Sequence, residues 1–283
     1  MKLSLLQLNN LGDNEKNLEH ALEMIEKAGS LGADFVVLPE MFSCPYKTSL
    51  FAVNAQEEGG TNWNKLSEAA RKNKVYLVAG SMPELEVTRE CCEHSENIYN
   101  TSYVFDRNGK QIAKHRKVHL FDVDIKGGQR FKESDSLTAG NSVTTFKTEF
   151  CIMGLMICFD IRFPEMARLM QLSGAEMIFV PAAFNMTSGP KWWELMFKTR
   201  AVDNQLFMAG CSPARDEKAE YKAWGHSIVN DPWGQTLGEL DVQEDILNVD
   251  IDFDEVKRVR SQVPLTTSRR TDIYTLELNK PPQ

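Results

Sequence analysis

Four side chains stand where a fold could turn them to chemistry. Cys158 follows the apolar run Ile152-Met153-Gly154-Leu155-Met156-Ile157, and a helix starts about five residues later. In open α/β sheets that carboxyl edge is where ligands bind. A helix N-terminus and the nearby Arg162 would both favour a thiolate nucleophile there. The competing reading is a buried structural cysteine, because free Cys is among the most buried residue types. Glu40 also follows an apolar run, behind Pro39 and beside Leu38, Met41 and Phe42. Partial desolvation would suit such a carboxylate to moving protons near neutral pH, whereas the bland reading is a solvated loop glutamate. Lys117 follows Lys114-His115-Arg116, and a solvated basic run is its simplest account. Strand alternation, however, turns Lys117 away from Arg116. An inward ammonium needs a carboxylate partner, and Glu133, sixteen residues on in Arg130-Phe131-Lys132-Glu133-Ser134, is the candidate.

Two other constellations compete. A Cys–His hydrolase would take His119 or His226 as its base, and His119 shares the strand face of Lys117. The cluster Cys91-Cys92-Glu93-His94 suggests a metal, but adjacent cysteines chelate poorly and no second ligand pair follows at a zinc-like interval. A polar loop is the better reading, with no metal and no cofactor expected.

Positioning these residues takes a layered scaffold. Leu3 to Leu8, Phe35 to Leu38 and Val75 to Ala79 read as buried strands, with helices from the Asp13 cap to about Gly29 and from about Trp63 to Asn73 between them. This βαβαβ opening implies a sheet covered by helices. Ile98 to Phe105 and Lys110 to Val118 form a hairpin around the Asn108-Gly109 turn. Then come a strand from Phe150 to Ile157, a helix from Pro164 to about Ser173, a strand at Met177 to Val180, a helix from Trp192 to Asn204 and a strand from Leu206 to Cys211. His226 to Asn230 and Gln235 to Leu240 make a second hairpin. Asp252 with Glu255 caps a last helix to about Gln262. One domain over residues 1–263 fits best, with a polar tail over 264–283 that wraps a partner subunit or frays.

The 283 residues carry 32 Lys+Arg against 40 Asp+Glu, a net charge of −8, with 42% hydrophobic residues. That composition supports a packed core and argues against disorder. The negative charge argues against nucleic-acid binding, which needs a basic face, but one local arginine can still attract a small anion. No stretch reaches the ~18 apolar residues of a membrane span, and the N-terminus reads as a strand, not a signal peptide. The six cysteines, at 44, 91, 92, 151, 158 and 211, make no disulfide framework, so a reduced, cytoplasmic protein is expected.

Taken in order, Leu38-Pro39-Glu40, Lys114 to Asp122, Phe131-Lys132-Glu133 and Cys158 to Glu165 make the chain resemble the nitrilase superfamily of carbon–nitrogen hydrolases over nearly its whole length. The resemblance implies a four-layer α-β-β-α sandwich, two mixed sheets between helix layers, that forms a homodimer or higher homo-oligomer by extending its sheets. It implies that Cys158 is the nucleophile, Glu40 the general base, Lys117 the oxyanion stabiliser with the Phe159 backbone N–H, and Glu133 the second glutamate beside Lys117. Within the superfamily the chain is similar to the omega-amidases, which release ammonia from the terminal amide of 2-oxoglutaramate and 2-oxosuccinamate. Residues 183–190, 212–216 and 223–227 carry that likeness. A short α-keto dicarboxylate then needs a cation, and Arg162 is placed to meet it in a bidentate pair. Phe184, Asn185 and Ser188 would line the same pocket, with Tyr46 at its mouth. Trp192, where the family commonly has His, and Lys47, where Gly is usual, depart from the pattern near that pocket. The rival within the superfamily is a deaminated-glutathione amidase. The rival of another class is a non-catalytic binding protein, whose mark would be a lost Cys, Glu or Lys; all are present here.

Overall fold

A computed structural model describes residues 1–90, 93–126 and 130–279. The chain opens with β1 (Lys2–Gln7), α1 (Asn14–Ser30) and β2 (Phe35–Val37), then α2 (Thr48–Asn54), α3 (Thr61–Asn73) and β3 (Tyr76–Val78). Antiparallel strands β4 (Met82–Glu90), β5 (Glu93–Phe105) and β6 (Gln111–Arg116) follow, then a small hairpin of β7 (Asp122–Asp124) and β8 (Arg130–Lys132). The second half runs through β9 (Thr144–Lys147), β10 (Ile152–Leu155), α4 (Pro164–Leu172), β11 (Ala175–Pro181), α5 (Gly189–Asn204) and β12 (Phe207–Cys211). It closes with β13 (Ile228–Asn230), β14 (Thr236–Glu239), β15 (Asp245–Asp250) and α6 (Asp254–Gln262).

The strands form two mixed sheets, one ordered β15-β1-β2-β3-β5-β4 with β6 also on β5, the other ordered β14-β13-β12-β11-β10-β9. In each, the central strands pair in parallel and antiparallel strands finish the flanks. Parallel strands covered on both faces are apolar throughout, which is why β2 reads Phe-Val-Val and β12 is buried end to end. Leu3, Phe35, Val78, Leu155, Phe179 and Phe207 pack between the sheets. Leu18, Ile25 and Leu66 from α1 and α3 cover Val36 and Leu77 on one outer face. Met170, Trp193 and Phe197 from α4 and α5 cover Ile178 and Met208 on the other. The four layers are α-β-β-α. Among the described residues no helix is long and apolar enough to cross a membrane.

The structure corrects several expectations. The strand expected to reach Val118 stops at Arg116, and the one expected over Phe150 to Ile157 spans only Ile152–Leu155; Met156 and Ile157 continue as a buried loop, while Val118 and Phe150 are only partly buried. Strands β4, β7, β8, β9 and β15 and helix α2 were not foreseen. Strand β4 carries three Glu and an Arg and strand β15 begins and ends on Asp, so composition hides them. The Asp252–Glu255 capping box does not form. Asp252 instead accepts from the Asp254 N–H at 3.0 Å, while Glu255 accepts from Trp233 Nε1 and Arg258. Just after α6, Gln171 Nε2 donates to Thr266 Oγ1 at 3.0 Å.

Candidate active site

The crevice at the carboxyl ends of the strands gathers Glu40, Lys117, Glu133 and Cys158. Past β2, the Leu38 N–H donates to Val78 O and the Ser81 N–H to Pro39 O. Gly80 makes this crossing possible: its φ is +47°, and a Cβ there would lie 2.2 Å from Pro39 O. Glu40 thereby enters the core, 1% exposed. Its Oε1 accepts from Lys117 Nζ at 2.9 Å, Asn100 Nδ2 at 2.9 Å and the Tyr46 hydroxyl at 3.2 Å. Its Oε2 accepts from the Ala183 N–H at 2.9 Å.

Lys117 leaves the end of β6 with its N–H on Asn100 O and its carbonyl accepting from Gly140 N–H. Alternation sorts this segment. Lys114 and Arg116 pair with Glu84 on one face, so the basic run is knit into ion pairs instead of solvated. On the other face His115 and Lys117 are fully buried. Lys117 Nζ also lies 2.9 Å from Glu133 Oε2. Glu133 begins a 3-10 turn after β8, and accepts from the Phe121 N–H and the Tyr46 hydroxyl at 2.6 Å each.

Cys158 starts a second 3-10 turn, Cys158–Arg162, between β10 and α4. Its φ is +44°, and Met41, next to Glu40, has φ +50°. Non-glycine residues in this region cost roughly 1–3 kcal/mol each and persist where the surroundings over-determine them. Cys158 and Glu40 converge on Ala183, and the Glu40 carboxylate raises the proton affinity of the Cys158 thiol.

The electrostatics follow from burial and pairing. Burial pushes the Glu40 carboxyl above the usual range; Lys117 offsets this and Glu133 adds to it. Burial pulls the Lys117 ammonium down, but Glu133 and Glu40 outweigh it and hold lysine in its charged form. Burial, with the Glu40 carboxylate, raises the Cys158 thiol well above its ordinary value. The resting site is therefore a neutral thiol beside a carboxylate whose proton affinity is raised, with a fixed cation between two carboxylates.

Arg162 lies beside this group, half-buried, with its guanidinium carbon 4.4 Å from the Trp192 ring centre, 4.9 Å from Phe184 and 5.1 Å from Phe159. Its Nε is buried without a hydrogen-bond partner, and no carboxylate pairs with it among the described residues. Phe184 is buried and packs edge-on against Trp193 at 5.1 Å. Asn185 and Ser188 are buried and bonded to each other: Asn185 Oδ1 accepts from the Ser188 N–H at 2.9 Å and its hydroxyl at 3.0 Å, bracing the start of α5. Lys47 reaches outward to Glu220 at 2.8 Å.

A cavity of about 250 Å³ opens beside the site, with Glu40, Tyr46, Ala183 and Tyr221 on its wall. Tyr221 packs against Tyr46 with ring centres 4.5 Å apart and planes tilted by 31°, and its hydroxyl donates to Ala183 O. Neither histidine weighed as a base faces the thiol. His119 Nδ1 is 2.8 Å from Asp160 Oδ1 and its ring stacks on Phe163, while His226 stacks on Trp224 beside Glu239. Cys91 and Cys92 lie outside the described residues, as do the side chains of Glu93 and His94; among the described residues no cluster of three His, Cys, Asp or Glu could hold a metal ion.

Sequence reasoning missed Asn100, Tyr221, Asp160 and the Ala183 N–H. Asn100 left one signal, a polar side chain in the interior of an otherwise strand-forming run. Tyr221 left none, since it lies in a loop 181 residues from Glu40 (221 − 40).

A carbon–nitrogen hydrolase family model matches residues 2–261. Omega-amidase NIT2 of Mus musculus is 44% identical over 280 residues, 99% of each chain. The crystal structure of Saccharomyces cerevisiae Nit3, a member of branch 10 of the nitrilase superfamily, superposes with a TM-score of 0.85 at 39% identity, covering 95% of this chain and 96% of that one. An amidase from Nesterenkonia, with the acetamide moiety of fluoroacetamide added covalently to its active-site cysteine, superposes with a TM-score of 0.76 at 26% identity, covering 96% and 95%.

Proposed function

As a member of the carbon–nitrogen hydrolase family the chain is an amide-hydrolysing enzyme, and we propose that it removes ammonia from the terminal amide of short α-keto dicarboxylates, 2-oxoglutaramate and 2-oxosuccinamate. The observation that carries this reading is Arg162. A half-buried guanidinium with an unsatisfied Nε and no carboxylate partner among the described residues is costly. A substrate carboxylate is its natural complement, and a bidentate pair fixes the span from carboxylate to scissile carbonyl. Full-length similarity to omega-amidase NIT2 supports the same substrates.

In this mechanism Glu40 takes the Cys158 thiol proton, and the sulfur attacks the amide carbon. The oxyanion is held by Lys117 Nζ and the Phe159 N–H. Glu40 returns its proton to the leaving nitrogen, and ammonia departs to leave a thioester. Glu40 then takes a proton from water, hydroxide adds to the thioester carbon, and the acid is released as the thiol is reprotonated. Glu133 holds Lys117 charged and in place. The enzyme works as a homodimer or higher homo-oligomer; exposed Leu172, Leu195 and Val202 on α4 and α5 support an apolar contact face there.

The test is a panel of 2-oxoglutaramate, 2-oxosuccinamate, glutamine, deaminated glutathione and benzonitrile. The two short keto amides should lead in kcat/KM. Deaminated glutathione leading would replace this substrate reading with that of the longer amide.

A further inference from the structure

Cys158 and Lys117 come from different sheets, yet the reaction needs them in one geometry. One carboxylate touches both segments. Asp160 lies two residues after Cys158 and is fully buried. Its Oδ2 accepts from the Ile157 N–H at 3.1 Å and contacts His115 Nε2 at 3.1 Å. Its Oδ1 accepts from the His119 N–H at 2.9 Å and contacts His119 Nδ1 at 2.8 Å. His115 and His119 bracket Lys117 on either side. The Asp160 backbone closes the turn itself, its N–H on Ile157 O and its carbonyl taking the Phe163 N–H.

We infer that Asp160 is a positioning residue: it clamps the strained Cys158 turn to the 115–119 segment and so sets the distance between the nucleophile and the oxyanion-holding Lys117. Four contacts on two oxygens use the carboxylate fully, and a buried carboxylate is retained only where such bonds compensate its desolvation. The contacts at Ile157 and within the turn hold the backbone on either side of Cys158, whose φ of +44° would relax if they loosened. The other end of the clamp is anchored at His115, whose Nδ1 lies 2.9 Å from Thr144 Oγ1, while His119 adds a second tie to the turn by stacking on Phe163 with ring centres 3.6 Å apart. None of the contacts to Asp160 comes from substrate-facing groups, so it acts through geometry and not by touching the reacting atoms. This inference rests on the proposed roles of Cys158 and Lys117.

Asp160→Asn keeps the shape but turns an NH2 toward one pair of N–H donors, opening the clamp there. A misplacement of about 1 Å costs on the order of 10² in rate, so kcat should fall by roughly that factor with KM within about threefold. The rate is expressed per mole of folded enzyme, with the folded fraction read from near-UV circular dichroism, which removes the effect of any unfolded fraction. His119→Ala removes one contact at a half-exposed residue and keeps its N–H bond to Asp160; kcat should fall about tenfold, with the pH profile unchanged in shape. The double variant should be no worse than Asp160→Asn alone, since both act on one clamp. A kcat per folded enzyme within threefold of wild type in Asp160→Asn would overturn the inference. Where that variant does not fold, the same threshold applied to His119→Ala decides it. Loss of the acid limb in His119→Ala would also overturn it, by making His119 a proton carrier. Cys158→Ala and Lys117→Met run alongside. Activity in Cys158→Ala refutes the proposed mechanism, whereas an inactive Cys158→Ala with a wild-type Asp160→Asn refutes only the clamp.

Discussion

Lys117→Met removes the cation that lies 2.9 Å from both Glu40 and Glu133, and the site predicts two separable losses. Removing one oxyanion donor costs roughly 10²–10³ in kcat. The second loss is in stability. Two carboxylates with essentially no solvent exposure remain in a pocket without their cation, and breaking a buried pair this way costs about 3–5 kcal/mol. Proton uptake limits that cost. Protonating an ordinary glutamate, pKa about 4.3, costs about 1.4 kcal/mol per pH unit above it, hence about 3.7 kcal/mol at pH 7 and about 1 kcal/mol at pH 5. The sign follows from the direction of the shift: in the variant a folded-state carboxyl pKa is raised above its unfolded value. The penalty is therefore smallest near the unfolded pKa and grows as pH rises toward the folded one. Glu40 already sits above its usual range in the wild type, which trims the difference. Urea unfolding of both proteins should give a deficit about 2–3 kcal/mol larger at pH 7 than at pH 5. Equal deficits at the two pH values, or a kcat within threefold of wild type, would refute the reasoning.

Three further outcomes are expected. Cys158→Ala should abolish turnover with the fold intact, while Cys151→Ala and Cys211→Ala keep most of it; peptide mapping after iodoacetamide should show activity lost in step with Cys158 labelling. Arg162→Lys should raise KM for 2-oxoglutaramate more than it lowers turnover of a neutral amide, because lysine cannot form the planar fork; equal effects on both substrates would remove Arg162 from carboxylate binding. Glu133→Gln should move the acid limb of kcat/KM to lower pH, since the Glu133 charge helps to raise Glu40, and an upward or absent shift in the pH–rate profile would contradict that coupling.

Local pattern alone determined a good deal here. Continuous apolar runs report strands buried on both faces, so β1, β2, β3 and β12 and helices α1, α3, α4 and α5 were legible with ends off by no more than three residues. The order of Pro39-Glu40, Lys117, Glu133 and the Cys158 block was enough to carry the resemblance to the superfamily, although each residue taken alone left other readings open. Alternation sent Lys117 and Arg116 to opposite faces without any knowledge of what each would meet. The partners were decided only by the tertiary structure. The Ala183 N–H that receives Glu40 is 143 residues away, and the Tyr46 hydroxyl between the two glutamates spans 87 residues to Glu133. Asp160 stood in the motif as one more polar residue until the sheets stacked and set it against His115 and His119, 45 and 41 residues distant. Periodicity records which way a side chain points relative to its own backbone. What it meets depends on how two separate sheets pack, and that is set by the shape of the whole core, not by any one segment.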